Sequence, residues 1–542
     1  MKHSENMPDL LIVQVEPPQK TESGDYFYRT HAPGIAMAQE EGVFVVNATN
    51  VHRKKDHIMR EADVLVLKNI CDPDILPLIR ERKLQKQLTV YEMADDLGAL
   101  QPWNPVYFFY KNKENLALVY RLASCCDTMQ VTVPELKRLY GNLNKHCEAL
   151  PNQILHVPPE RVRVLKESDA VVVGWGGSHG HLKDMAEISE PLSKWIMAQS
   201  NVVLHLMCSE PIWKLFDSLP SHKKRRTLPG SIDEYYNFLA KIDIGIAPLK
   251  DTAFNRSRSD VKFLEYAVSG VVPVLAHLEP YLNSVDVGKN GFLFKNTNEL
   301  IDNLNRLVKN ASLLQKVSKA ARHYVIRERL QLEHGRERID FYRNQLRQIK
   351  RGDRMTDSGR ARFEKWSRLE GAVINGRHMR LSDTRFENLL HDGLVTMQIT
   401  GDKKHARQLF EEASAIEQDN YLPFLFGSPV SPDAVSCLQK ALKLNPDSIK
   451  AWILLGEVFM RNGKAIDAIK SFESAVRVYP NYGIPYLRTA DLLKKIGEQS
   501  QAEKLFDRAR ELQLYKDKIG ELDVFTNGTM MPNSEKSLER KG

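Results

Sequence analysis

The chain has 542 residues, 42% of them hydrophobic, and a formal net charge of +8. That is enough apolar material for about three or four domains with substantial cores. A charge this modest, without a recurring aromatic-basic pattern, gives no support to nucleic-acid binding. No run of 18 apolar residues is present, so no helix is expected to span a membrane.

The N-terminal "MKHSENMPDLLIVQVEPP" carries no apolar signal core and leads almost directly into a strand. From there to about residue 155, "LLIVQV", "VFVVNA", "ADVLVL", "LTVYEM" and "TMQVTV" are short apolar runs separated by polar, helix-forming stretches. Buried parallel strands read this way, and the region is predicted to be a doubly wound α/β domain. A second such series follows "LPNQILHVPPERVRV": "AVVVGWGG", "NVVLHLMC", "IDIGIAPL" and "VVPVLA". The "KKRR" at Lys223 to Arg226 is read as a charged turn leading into a strand. Six cysteines (Cys71, Cys125, Cys126, Cys147, Cys208 and Cys437) form no C-x-x-C pair, which fits free thiols in a reducing, cytoplasmic compartment. Between Lys316 and Glu370 there are 16 Lys/Arg against 8 Asp/Glu, an excess equal to that of the whole chain. This run is a solvated helix face or a patch for an acidic partner or the inner membrane surface.

The last region repeats. Ala441, Ala475 and Ala509 are spaced by 34 residues, as are Pro446 and Pro480, Gly463 and Gly497, Ala468 and Ala502, and Phe472 and Phe506. Trp452, Leu455, Gly456, Phe459, Ala468, Phe472, Ala475 and Pro480 fall on the tetratricopeptide pattern. "GDKKHARQLFEEASAIEQD" is a weaker copy and Tyr421 to Ser448 a shortened one. The predicted divisions are residues 1–155 and 156–350 for the two α/β domains, the second with a closing helix. A linker with a helix follows at 351–386, then repeats at 387–516 and a disordered tail at 517–542. Helix pairs that stack on their neighbours are expected to fold without the α/β part, and a fragment ending near Lys350 to remain folded.

Two features of the second domain aim at one ligand. "GWGGSHGHLKD" places Gly174, Gly176, Gly177 and Ser178 between a strand and a helix, which suits an anion at the helix start as well as a plain tight turn. In "RSRSDVKFLEYAVSGVVPVLA" Ser259 reads as an N-cap and Ser269-Gly270 as the helix stop. Lys262 then lies in the first turn, where the dipole favours an acid, with Glu265 three residues on. A pyrophosphate between lysine and helix start resolves that conflict, and Glu265 can accept from a ribose diol. A first-turn lysine that opposes the dipole should cost the fold little when removed. The alternative is a solvent-facing Lys-Glu pair.

These segments resemble the nucleotide-binding half of GT-B glycosyltransferases of the retaining, group 1 type. "PNQI" is similar to the family's junction motif, "IDIGIAPL" to the strand before its donor loop, and "FNRSRSDVKFLEYAVSGVVPVLAHLEPY" to its donor-binding segment. "DYFYRTHAPG" and "VYEMADDLG" extend the resemblance to the first domain, so that it covers about residues 8–350. It implies two Rossmann-like domains with a nucleotide-diphosphate sugar as donor substrate, and neither cofactor nor metal. Lys262, Glu265 and His31 are the implied catalytic residues. Gly176, Gly177, Ser178, His181, Arg256 and Arg258 join Lys262 and Glu265 around the donor, with Tyr28, Arg29, Asp95 and Asp96 on the acceptor side. Ser257 stands where the family often has a second glutamate. Asp95 and Asp96 also invite readings as a helix cap or as a metal-binding D-x-D. The expected activity is metal-independent transfer of a sugar to a glycan or protein, with the repeats holding a protein partner. The competing expectation is a repeat scaffold with a degenerate, catalytically weak transferase domain.

Overall fold

In the computed structural model the described residues are 9–18, 23–104, 106–160, 170–349, 358–381 and 385–512. The five expected apolar runs of the first region form β1 (Leu10–Glu16), β2 (Val43–Thr49), β3 (Val64–Lys68), β4 (Leu88–Met93) and β5 (Thr128–Val131), all fully buried and parallel. A short β6 (Cys147–Ala149) completes one edge. In the second region β7 (Val171–Gly176), β8 (Val202–Met207), β9 (Lys224–Thr227), β10 (Ile244–Ala247), β11 (Val272–Ala276) and β12 (Phe292–Phe294) assemble in the order β12-β11-β10-β7-β8-β9. That is the 3-2-1-4-5-6 order of a Rossmann sheet, with its switch point between β7 and β10. Lys224 to Arg226 of the charged "KKRR" lie within β9 itself rather than in a turn before it.

Residues 358–381 are not a linker. The helix Gly359–Trp366 buries Phe363 and Trp366 on the first sheet, and Arg362 donates to Asp63 Oδ2 at 2.9 Å. β13 (Ala372–Asn375) and β14 (His378–Leu381) then form a hairpin whose second strand pairs in parallel with β2. The first sheet therefore has eight strands, in the order β13-β14-β2-β1-β3-β4-β5-β6. The chain had already returned to this domain: the helix Gly335–Ile349 packs Ile339, Tyr342 and Leu346 against Ile12, Val45, Val66 and Val90. Gly335 makes that approach possible, because a Cβ there would meet the Ala36 backbone at 2.6 Å. The cationic run is partly internal as well. Arg322, Arg329, Arg338 and Arg362 are spent on carbonyls, on Asp260 and Asp63, or on the domain interior.

Four helix pairs follow: Arg385–Val395 with Lys403–Ile416, Leu422–Gly427 with Ala434–Leu444, Ile449–Arg461 with Ala465–Val478, and Gly483–Lys495 with Gln499–Leu512. The shortened copy is visible in the six-residue helix Leu422–Gly427. Small residues do what the spacing predicts. Ala441, Ala475 and Ala509 are fully buried, and a Cβ on Gly456 would collide with the Phe472 ring at 2.4 Å. The expected tail lies outside the described residues.

The repeats do not stand apart from the α/β body. Ile449, Ile453, Tyr479 and Ile484 share one apolar cluster with Leu76, Ile79, Leu116 and Tyr120 of the first domain. Asp74 accepts from Ser448 Oγ at 2.7 Å and from the Lys450 amide at 2.9 Å. Arg488 makes a fork to both carboxylate oxygens of Glu114, at 2.7 and 2.8 Å, and also bonds Glu457. Arg121 donates to the Asn481 carbonyl, and Arg53 to Glu417. This seam has an apolar centre and half-buried ion pairs, which argues against the expectation of independently folding repeats. A fragment ending near Lys350 would lack Trp366, Arg362 and β14, which complete the first sheet.

Candidate active site

The two sheets present the C-terminal ends of their strands to a shared cleft of about 510 Å³. Its lining includes Asp25, Tyr28, Asp95 and Asn152 from the first domain and its junction. Gly177, Ser178, His181, Tyr235, Arg258, Lys262 and Glu265 line it from the second. A larger recess of about 910 Å³ lies beside Cys126, Asn144 and Gln348, away from these groups.

β7 ends at Gly176 and turns through Gly177-Ser178 into the one-turn helix His179–His181 and the helix Leu182–Ala198. Gly176 and Gly177 are fixed by packing: a Cβ would press on Tyr235 at 2.7 Å in the first case and on Trp175 at 2.6 Å in the second. Asp184, buried one turn on, ties both sides of the switch point together. Its Oδ1 accepts from the Lys250 amide at 2.9 Å and Asn255 Nδ2 at 3.0 Å, and its Oδ2 lies 2.9 Å from His181 Nδ1. Burial, with Arg258 adding to it, lowers the His181 pKa to about 4, so the ring is neutral near pH 7.

The helix carrying the Lys-Glu pair spans Val261–Val268, with Asp260 rather than Ser259 at the N-cap position. Asp260 is held sideways by Arg329 and Ser284, and Ser259 is used elsewhere, its Oγ accepting from Asn152 Nδ2 at 2.9 Å. The stop at Ser269 and Gly270 is as expected, Gly270 having φ +70°. Lys262 is indeed in the first turn. Its Nζ donates to Glu265 Oε2 at 2.8 Å and to the Tyr235 hydroxyl at 2.7 Å, and it lies 4.4 Å from the Tyr235 ring centroid. Glu265 is buried and also accepts from Tyr235 at 2.9 Å and from Tyr28 at 3.0 Å. Tyr28 belongs to the first domain, so this carboxylate joins both walls of the cleft. The solvent-facing alternative does not hold: the Lys262 and Glu265 side chains are 16% and 5% exposed.

The other expected residues divide. Arg258 is half-buried on the cleft wall, 5.3 Å from the Phe254 ring centroid. Asp95 is half-buried opposite. Burial pushes its carboxyl above the usual range while Arg258 pulls it down. Arg256 is not brought in; it is exposed and forked onto Asp251. His31 is not brought in either, and packs among Tyr26, Phe27 and His378. Asp96 is a cap, accepting from the Ala99 amide and from the Tyr140 hydroxyl. Arg29 lines the cleft floor as a buried side chain, pairing with Glu92 at 2.5 Å and donating to Leu150 and Asn152, so it braces the junction. Ser257 turns inward, its Oγ bonding the Phe254 carbonyl. Sequence reasoning missed Asp25 and Tyr235. The Ser231–Glu234 capping box that sets Tyr235 on its helix was legible as S-x-x-E. Asp25, which pairs with the buried Lys68 at 2.7 Å, heads the segment "DYFYRTHAPG" but was not singled out within it.

Residues 449–482 match the family model described as tetratricopeptide repeat. Superkiller protein 3 of Saccharomyces cerevisiae is 24% identical over 87 residues, which are 14% of this chain and 6% of that protein. Among solved structures, Anabaena HepE in complex with UDP-glucose is similar at TM-score 0.46 and 12% identity, over 62% of this chain and 100% of that one. A glycosyltransferase from Rickettsia africae reaches 0.44 and 13%, over 62% and 99%. TarM reaches 0.41 and 13%, over 52% of this chain and 54% of its own. The chain thus spans about half of TarM and a small part of the yeast protein. The repeat assignment of the helical arm rests on both its 34-residue spacing and the family match.

Proposed function

We propose that the chain is a glycosyltransferase that moves a sugar from a nucleotide-diphosphate sugar to an acceptor hydroxyl without a metal. The observation that carries this is the Lys262–Glu265–Tyr235 cluster beside the Gly177–Ser178 turn at a Rossmann switch point, facing the first domain's Tyr28 and Asp95. Ligands of this sheet type bind outside the strand ends, with phosphates at helix starts.

In this reading Glu265 accepts from the ribose diol. Lys262 and Arg258 hold the diphosphate and stabilise the charge that grows on it as the C1–O bond breaks. The acceptor oxygen forms the new bond to C1 from the Asp95 side. Its proton goes to the departing diphosphate, with retention at C1 as the family resemblance implies. His181, neutral and oriented by Asp184, offers a polar contact rather than charge. The repeats hold a protein partner on faces not already taken by the first domain. A donor screen tests the reading: full-length protein with uridine, guanosine and thymidine diphosphate sugars, followed by nucleoside diphosphate release and thermal shift. Failure of every donor to stabilise the protein or to release diphosphate would sink it.

One observation favours the weak-transferase alternative. Ser257 is buried and bonded to Phe254, so the second domain offers no second carboxylate at that position. Under that reading donors stabilise the protein but release stays at the hydrolytic background.

A further inference from the structure

Tyr28 sits on a five-residue π-helical turn, Phe27–His31, between the short helix Gly24–Tyr26 and the helix Ala32–Met37. This wider turn is uncommon, and where it interrupts a helix it often marks a functional site. Here it sends Tyr28 out of its own domain. With Phe27 beside it, Tyr28 is packed in the apolar cluster of the second domain that holds Tyr235, Tyr236 and Phe263. Its hydroxyl ends on Glu265 Oε1 at 3.0 Å. The other carboxylate oxygen, Oε2, already accepts from Tyr235 at 2.9 Å and from Lys262 at 2.8 Å. A carboxylate has about four lone-pair sites, so Oε2 is full and Oε1 is the oxygen that remains for a ligand.

We propose that the Tyr28 hydroxyl occupies the place of a ribose hydroxyl, and that a nucleoside diphosphate binds by displacing it. This rests on the transferase reading, in which Glu265 accepts from the ribose diol. Three observations carry it. The group now on Oε1 is an O–H donor to a carboxylate, which is the chemistry a ribose offers. Glu265 is buried although it lines the cleft, so a second hydroxyl has no open approach to Oε1 beside the first. Tyr28 comes from the opposite wall and can withdraw with its domain, whereas Tyr235 and Lys262 stand on helices of the same domain as the carboxylate. The consequence is a particular pattern of selectivity. When one hydroxyl only exchanges for another, the ribose hydroxyls add little to affinity. A diphosphate whose ribose carries no hydroxyl leaves Tyr28 in place. The exchange gives Tyr28 a part in donor binding beyond the acceptor-side position expected for it.

The test is calorimetric titration of the full chain with uridine, guanosine and thymidine diphosphates, and with the forms of each that lack ribose hydroxyls. In wild type the two forms of the best-bound diphosphate should differ by no more than about threefold, since a hydrogen bond is exchanged rather than gained. Tyr28→Phe should bind the hydroxyl-bearing form about tenfold tighter than wild type does, the factor that a hydrogen bond to a charged group is worth. The hydroxyl-free form should show no gain. If Tyr28→Phe proves misfolded, Tyr28→Leu removes the same hydroxyl and carries the test. Gln101→Ala removes another bond between the domains, from Gln101 Nε2 to Thr252 Oγ1 at 2.8 Å, and should leave diphosphate affinity unchanged. A gain there equal to that of Tyr28→Phe would mean general loosening of the domains and would overturn the exchange. Lys262→Met separates this proposal from the donor-site reading. If it weakens diphosphate binding, the donor site stands, and a folded Tyr28→Phe with unchanged or lower affinity overturns the exchange alone. Should no diphosphate bind either wild type or Tyr28→Phe, the donor site and the exchange fall together.

Discussion

Replacing Lys262 tests the donor site and the fold at once. The ammonium is the charge partner of a buried carboxylate, and removing one member of such a pair costs about 3–5 kcal/mol. Two features reduce that here. Glu265 keeps two hydroxyl donors, Tyr28 and Tyr235, and the unfavourable first-turn cation is removed, a gain of about 0.3–1 kcal/mol. Lys262→Met should therefore destabilise by about 2–3 kcal/mol, more than the small cost expected from sequence. That lowers the melting temperature by roughly 5–10 °C. Glu265→Gln in the same chain removes the stranded charge, so the double variant should regain much of the loss. Diphosphate binding should behave otherwise. A charge-assisted contact is worth about 1.5–3 kcal/mol, so Lys262→Met should weaken nucleoside diphosphate affinity about 10- to 100-fold, and the double variant should not recover it. Calorimetric titration and thermal unfolding, run on wild type, Lys262→Met and the double variant, separate the two effects. Unaltered diphosphate affinity in folded Lys262→Met refutes the phosphate role. A double variant no more stable than the single one refutes the buried-pair argument.

The repeat seam gives a second expectation: Ile453→Asp should expose or wet the shared cluster and lower stability by several kcal/mol, read by denaturant midpoint. A fragment ending at residue 350 should aggregate, since it loses Trp366, β14 and the Arg362–Asp63 pair; a monodisperse fragment by light scattering would contradict the seam. Acid should weaken the fold. His52 and His181 have pKa values lowered to about 4 and His378 to about 3, chiefly by burial. Below pH 6.5 the unfolded chain binds protons that the folded chain refuses. Stability should then fall by about 1.4 kcal/mol per pH unit for each such group down to its folded value, and a melt series from pH 7.5 to 4 checks the slope. Transfer should survive excess EDTA, because side chains and a helix start carry the charge; loss restored by manganese would point to a metal instead.

Local signals carried the sheets but not their edges. β1 to β5, β7, β8, β10 and β11 are buried on both faces, so they appear as mostly apolar runs, interrupted by buried polar residues such as Gln14, Glu92 and Gln130. β14, with His378 and Arg380, is made a strand by pairing with β2 more than 300 residues away. Only the turn between β13 and β14 left a trace, as Asn375-Gly376, with Gly376 at φ +61°. In the site, Lys262 and Glu265 were legible because their order conflicts with the helix that carries them. Arg256 and Arg258 could not be told apart in "RSR". The short helix Ala253–Arg256 points the first at Asp251, and the chain past its end points the second into the cleft. His31 was misplaced for a related reason: the polar loop seemed open, but the hairpin returning at 372–381 covers it.

The same long-range returns decide how the arm bears on the cleft. Arg488 grips Glu114 in the first turn of the helix Lys113–Cys125, and Arg121 on that helix reaches back to Asn481. That helix begins two residues after the exposed aromatic turn Tyr107–Lys111. A domain that merely carried a partner would have no need to bury Ile453 and Tyr479 against the first domain. By doing so, the repeats brace the helix Lys113–Cys125 of the first domain. Strain on the arm therefore acts first on the first domain, whereas the Lys262–Glu265–Tyr235 cluster belongs to a separate sheet whose core, among the described residues, includes none from the repeats. Changes at the seam should consequently alter acceptor use before they alter donor binding.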